Sequence, residues 1–217
     1  MRYSNLASIG IFKTLFANIR FCKFKDAIHL PILVARNATI KGKKGSIIFS
    51  GGGKFGTFTV GFNRGENNGS PTVVVVKGKL ILKGTGVHAF GAGCFVHVRK
   101  GAVLEIGDNF GCTGDSRLTV NESVVIGKDN LWSYCCCVMD GDGHQIFNAN
   151  GDRINPNKGI VFGEHIWMGC NCLVLKGVSI PSNTIIAANS TIIRSYTQEN
   201  TIITSTQVLR ENIVWKR

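Results

Sequence analysis

Apolar residues recur every six positions over the C-terminal third of the chain. Phe162, Met168, Val174, Ile180, Ile186 and Ile192 form one series. Four residues after its members comes a second: Ile166, Cys172, Val178, Thr184 and Ser190. Small residues follow the first series at Gly163, Gly169 and Ala187. An α-helix has no period of six, and an alternating strand does not bring in turns so regularly. A triangular solenoid satisfies the pattern. Each hexad makes one short strand and one turn, three hexads make a coil of eighteen residues, and both series point inward. Backbone hydrogen bonds then run between coils about 4.8 Å apart. The register extends upstream through Val120, Ile126, Trp132 and Val138, with Val124 and Cys136 at the companion position. Ile106-Gly107 and Cys112 are offset by two residues, which predicts a small bulge, and Val76, Leu82, Phe90 and Val96 mark less regular coils. Residues 51–69 are rich in Gly and Asn and read as a loop or irregular coil. The pattern predicts an all-β solenoid over residues 38–194, interrupted at about 139–158, and a tail over 195–217.

Residues 1–37 differ. Ile9, Phe12, Phe16 and Ile19, supported by Leu15, recur at helical spacing. Two readings stand: a short helix on the end of the main domain, or a helix that docks at an anionic membrane surface. Charge sharpens the second. Residues 1–54 hold ten Lys or Arg and one acid, Asp26, so +9 of the net +12 lies there. A basic front end suits nucleic acid, anionic lipid or an acidic polysaccharide alike, but no nucleic-acid recognition motif accompanies it. No apolar run reaches the roughly 18–20 residues of a membrane span. The uncharged stretch from Ser4 to Phe12 ends at Lys13 without a clear cleavage site. Of 217 residues, 27 are Gly and only 18% are charged, which fits short strands and tight turns. The eight cysteines include no C-x-x-C pair, and Cys135, Cys136 and Cys137 are consecutive. Neither a zinc site nor a disulfide framework follows; they read as reduced, small hydrophobes of a cytosolic protein.

The chemistry concentrates where the hexads break. His144 lies in Met139-Asp140-Gly141-Asp142-Gly143-His144, just before the strongest coils. A histidine in a loop on a rigid scaffold is a candidate general base, because its ordinary pKa lies near neutrality. Asp140 and Asp142 are the nearby candidates for holding its tautomer, although Asp-Gly pairs are also ordinary turn chemistry. His165 falls at a turn between coil strands, and His29, His88 and His97 read as structural or exposed. Cys136 falls at an inward position, which argues against a thiol acyl-enzyme.

Three passages resemble the hexapeptide-repeat acyltransferases. They are Gly163-Glu164-His165-Ile166-Trp167-Met168-Gly169, then Leu175-Lys176-Gly177-Val178-Ser179-Ile180, then Ile186-Ala187-Ala188-Asn189-Ser190. Asp142-Gly143-His144-Gln145-Ile146, continued by Gly151-Asp152-Arg153-Ile154-Asn155, is similar to the capsule, O-antigen and sialic-acid O-acetyltransferases. Pro181 replaces a turn glycine, and Ala187-Ala188 stands where Gly-Ala is common. The resemblance implies a left-handed parallel β-helix and a homotrimer with active sites between subunits. It also implies direct acetyl transfer from acetyl-CoA to a glycan hydroxyl, with no metal. It maps the catalytic base to His144 and puts Trp167 at the active site. It suggests Gly169, Ala187 and Ala188 beside the pantetheine arm, with Lys176, Arg194 and Arg210 as the basic residues of the coenzyme groove. The location expected is cytoplasmic, peripheral at the inner membrane surface. Three alternatives stand beside this reading. An N-acetyltransferase acting on a nucleotide-linked amino sugar would share the mechanism. A zinc lyase would need His88, His97 and His144 at a spacing they lack. A non-enzymatic solenoid would show a flat Thr-rich face that this chain does not have.

Overall fold

The structure, a computed structural model, describes residues 8–62 and 70–217. The start of the apolar stretch at Ser4 and the end of the Gly- and Asn-rich stretch lie outside them. Among the described residues, twenty-two short strands form three sheets of nine, seven and six strands. The chain visits the three faces in rotation. Leu131–Trp132 lies on the nine-stranded first face, Cys137–Met139 on the second and Ile160–Phe162 on the third. Trp167–Met168 then returns to the first face, directly beside Leu131–Trp132. Every named strand pair is parallel except the last, where Val208–Arg210 turns back along Ile202–Ile203. The protein is a three-sided parallel β-helix. Its first ladder strand, Ile32–Val34, precedes position 38, and Ile202–Ile203 and Val208–Arg210 continue the first face beyond position 194.

Both hexad series point inward. Phe162, Met168, Val174, Ile180, Ile186 and Ile192 are buried, and so are Ile166, Cys172, Val178, Thr184 and Ser190. The strict eighteen-residue coil belongs only to the late turns. On the first face, Phe90, Cys112, Trp132, Met168 and Ile186 stack at steps of 22, 20, 36 and 18 residues. The 36-residue step is one coil of eighteen plus an eighteen-residue insertion, the loop that interrupts the hexads. Upstream strands are longer and bury two side chains each, as Leu118 and Val120 do. The two-residue offset near Cys112 is therefore a longer coil rather than a slip of the ladder. Phe58, Phe90, Phe110, Trp132 and Phe162 form a column of aromatic contacts with centroids 5.1–6.1 Å apart. Tilted and edge-on pairs of this kind add about 0.5–1.5 kcal/mol each beyond burial.

Corners turn through left-handed backbone. Asn109, Asp129, His165, Asn183 and Asn200 occupy the corner leading into the first face, all with φ between 55° and 58°. Asp115, Cys135, Asn171 and Asn189 do so where the first face meets the second. Short side chains that bond locally tolerate this region, so Asn and Asp dominate. Of the cysteines, Cys22, Cys94, Cys112, Cys136 and Cys172 are buried as expected, but Cys135 is exposed and Cys137 and Cys170 are half-buried.

The N-terminal segment forms the helices α1 (Ile11–Phe21) and α2 (Phe24–Ala27). α1 lies against Ile32–Val34, the edge strand of the first face. The face it buries is not the apolar stripe but Thr14, Ala17, Asn18 and Phe21. The cause is the strand's unpaired backbone. Asn18 donates to Ile32 O and accepts from Ile32 N at 2.8 and 3.0 Å, and Thr14 Oγ1 accepts from Val34 N at 3.0 Å. An uncovered edge strand leaves such groups unsatisfied, and only a polar helix face can supply partners. Ile11, Phe12, Leu15, Phe16 and Ile19 consequently face outward.

Candidate active site

Residues 140–159, the insertion with its two corner residues, leave the solenoid at the corner between the second and third faces. The feet of this loop are fixed by Asp140, which is fully buried. The Asp140 carboxylate accepts from the backbone N–H groups of Asn121, Glu122 and Ser123 and from Asn121 Nδ2, at 2.6–2.9 Å. Its carbonyl accepts from Lys158 N at 3.0 Å, and Lys158 O in turn accepts from Gly177 N. Asp140 ties the loop to the preceding coil, and Lys158 ties it to the following one. The acceptor capacity of Asp140 is all spent there, so it does not orient His144.

Beyond the feet the loop is a small hairpin. Ile154 N donates to Ile146 O, and Asn148 Oδ1 accepts from the N–H groups of Asn150 and Asp152 at 2.9 Å. Asn155, nearly buried, joins the hairpin to the His144 segment. Its Oδ1 accepts from Ile146 N at 2.7 Å, while its Nδ2 donates to His144 O and to Asp142 Oδ2, both at 2.8 Å. Gly143, at φ 80°, turns the chain immediately before His144. His144 is exposed, with its carbonyl held by Asn155. Asp142 Oδ2 also accepts from Lys176 Nζ at 2.5 Å. Hydrogen bonds from Lys176 and Asn155 hold the Asp142 carboxyl below its ordinary value. Asp142 therefore braces the loop, and its cationic partner is Lys176, the residue expected along the coenzyme groove. Asn155 ends the passage that resembles the O-acetyltransferases, but spacing alone gave it no role. Its three bonds become visible only once the loop closes on itself.

The other expected residues lie elsewhere. Trp167 is on the first face, 40% exposed, with its indole N–H 3.4 Å from Ser133 Oγ. In a triangular solenoid the first face is opposite the corner that carries His144, so one chain does not bring the two together. Gly169 follows Trp167 at the corner between the first and second faces. A Cβ there would lie 2.7 Å from Ala188 N, so close stacking of coils by itself requires glycine. Ala187 is half-buried and Ala188 exposed at the same corner one coil later. Ala187 N donates to Ile203 O, which leaves Ala188 the freer surface. Arg194 lies 5.7 Å from the Tyr196 ring and, with Gln198 and Gln207, lines an open hollow of about 380 Å³. Arg210 is exposed on the antiparallel edge strand.

His165 is not a loose turn residue. Its ring stacks on Trp215 at 3.9 Å, with Nδ1 2.6 Å from Asp129 Oδ2 and Nε2 3.0 Å from Trp215 O. Arg217 donates to Asp129 Oδ1 at 2.8 Å. Burial opposes ionisation of Asp129, but hydrogen bonds from His165 and Arg217 outweigh it and hold the carboxyl below its usual range. This cluster clips the C-terminal tail to the corner column. Burial pushes the Cys136 thiol up to about 12, so it carries no thiolate near neutrality. His88 is buried on the first face, His97 lies on a second-face strand and His144 is in the loop, so the three do not converge. Among the described residues no group of three or more His, Cys, Asp or Glu side chains is arranged to hold a metal ion, and no helix is long and apolar enough to cross a membrane.

No family model matches the chain. Two curated proteins are similar to it. The polysialic acid O-acetyltransferase of Neisseria meningitidis is 29% identical over 112 residues, 48% of this chain and 52% of that protein. A protein of Escherichia coli strain K12 named as the putative lipopolysaccharide biosynthesis O-acetyl transferase WbbJ is 29% identical over 111 residues, 46% of this chain and 56% of that protein. The chain spans about half the length of the curated relatives it matches. Among solved structures, that of the polysialic acid O-acetyltransferase OatWY is 23% identical and covers 83% of this chain and 88% of its own, with a TM-score of 0.48. The resemblance read from the sequence holds: both curated relatives carry the name of an O-acetyltransferase.

Proposed function

We propose that this chain is a hexapeptide-repeat O-acetyltransferase with a left-handed coil. It moves an acetyl group from acetyl-CoA to a sugar hydroxyl of a bacterial surface polysaccharide, of the capsule or O-antigen kind. The observation that carries the reading is the His144 loop, a histidine presented at the corner of a rigid solenoid by Asn155, Gly143 and an anchored Asp140. The similarity to two O-acetyltransferases supports it.

A neutral hydroxyl is a poor nucleophile, so His144 accepts its proton as the oxygen attacks the thioester carbonyl. A C–O bond forms and the C–S bond breaks. The imidazolium then gives the proton to the departing thiolate, which leaves as the free thiol and restores neutral His144. Negative charge on the carbonyl oxygen during attack requires a donor, and the indole N–H of Trp167 is the side chain suited to it. His144 and Trp167 occupy opposite sides of one prism. A site that uses both is therefore built between copies, as in a homotrimer. The exposed Ala188 corner suits a narrow pantetheine arm, and the hollow with Arg194 and Tyr196 suits the phosphate end of the coenzyme. The donor substrate fits a cytoplasmic enzyme.

The test is acceptor-dependent thiol release from acetyl-CoA across a panel of acidic and neutral glycans. Release with a hydroxyl-bearing glycan supports the reading. Release only with amino sugars that lack a free acceptor hydroxyl overturns it.

A further inference from the structure

We propose that the N-terminal end of the solenoid is a docking surface for an anionic phospholipid bilayer, formed by the outward apolar face of α1 and the basic residues beside it. The inference does not depend on the catalytic reading. α1 has two faces with separate tasks. Thr14 and Asn18 complete the backbone bonding of the edge strand, which fixes the rotation of the helix. That rotation turns Phe12 (88% exposed), Phe16 and Ile19 to solvent, and the following segment adds Phe24 (84%) and Ile28. Eleven helical residues make a strip about 16 Å long. Contiguous exposed aromatic and aliphatic side chains on this scale mark an interaction surface.

Charge selects the occupant. Lys23 and Lys25 are exposed at the end of the strip and Arg20 is partly so. Asp26 is the only acid in residues 1–54 and it is buried. A second copy of the same surface would meet it cation to cation. An anionic headgroup layer complements it, while the apolar side chains enter the acyl boundary. Lys13 has another task, since its ammonium bonds Arg36 O and Ala38 O at 2.6 and 2.9 Å.

Flotation of the whole protein with vesicles tests this. At low salt the protein is expected to float with phosphatidylcholine vesicles containing about 30% phosphatidylglycerol, and not with pure phosphatidylcholine. Lys23→Gln/Lys25→Gln should weaken partitioning about 25-fold, near fivefold per cation. Phe12→Ser/Phe16→Ser/Ile19→Ser should weaken it by about a hundredfold or more. Both variants change solvent-facing residues, so their thermal melts should match wild type. No flotation at low salt overturns the proposal, as does flotation that the triple variant leaves unchanged. Loss of self-association in the triple variant, read by light scattering, with no vesicle binding by wild type, would assign the strip to a contact between copies and overturn it too.

Discussion

Replacing Asn155 with Ala removes a side chain that fastens the His144 segment to its hairpin. Three hydrogen bonds are lost, to Ile146 N, His144 O and the Asp142 carboxylate. A neutral bond contributes about 0.5–1.5 kcal/mol net and one to a charged group about 1.5–3. The sum for two of the first and one of the second is about 2.5–6 kcal/mol. The neighbouring loop residues are exposed, so water replaces part of this, and we expect about 1–3 kcal/mol. The loss falls on loop order, because Asn155 is not a core residue of the coils. The feet of the loop stay fixed by Asp140. The expected phenotype is a global melt within about 2 °C of wild type, faster proteolysis within 142–154, and a kcat lowered about 10–100-fold through misplacement of His144. KM for acetyl-CoA should change little, since the Ala188 corner and the Arg194 hollow are untouched. The pH profile should keep its shape, since the base itself remains. The assay is thiol release from acetyl-CoA with the active acceptor, alongside limited proteolysis. A kcat within twofold of wild type together with accelerated loop cleavage would refute the link between Asn155 and catalysis.

Asp140→Ala leaves the backbone N–H groups of three consecutive residues and the Asn121 amide without their shared acceptor. It should lower stability by about 3–5 kcal/mol, seen as a large fall in melting temperature; a melt within 2 °C of wild type would contradict its anchoring role. His88 is buried with neither ring nitrogen bonded, and burial lowers its pKa. The unfolded chain therefore takes up this proton first. The stability tied to neutral His88 is complete above the unfolded pKa near 6.5 and is lost progressively as pH falls below it. His88→Leu should gain about 1–3 kcal/mol at pH 7 and flatten the decline of the melting temperature between pH 6.5 and about 5; a steeper decline would show that the ring has a bonded role. Cys136→Ala should cost about 1 kcal/mol of core packing and leave kcat unchanged, whereas abolished turnover in a folded variant would revive a thiol intermediate.

The late coils were legible because one residue in six must fill a narrow interior and nothing else fits that period. Phe162 to Ile192 carry the pattern without interruption. Upstream the same interior is filled by pairs such as Leu118 and Val120 on four-residue strands, so the six-residue step fades although the ladder continues. The α1 stripe left its orientation open for a different reason. Apolar spacing reports which residues share a face, but the backbone of Ile32–Val34 decided which face turned inward, and it required Thr14 and Asn18. Asp140 and Asp142 look alike in sequence. Only the fold separates an anchor that accepts from three backbone N–H groups and the Asn121 amide from a brace held by Lys176 and Asn155. The clip joining His165 and Asp129 to Trp215 and Arg217 spans 50 and 88 residues of sequence, a separation at which no local pattern speaks.

The central claim is that His144 drives acetyl transfer to a hydroxyl. Mass spectrometry of the acceptor glycan, after reaction with acetyl-CoA and wild-type enzyme, tests it most directly when paired with mild alkali. The account predicts one added acetyl group per modified sugar that alkali removes, as an ester requires, and its loss by at least about a hundredfold with folded His144→Ala. An alkali-stable acetyl group, or full product formation by His144→Ala, would contradict it.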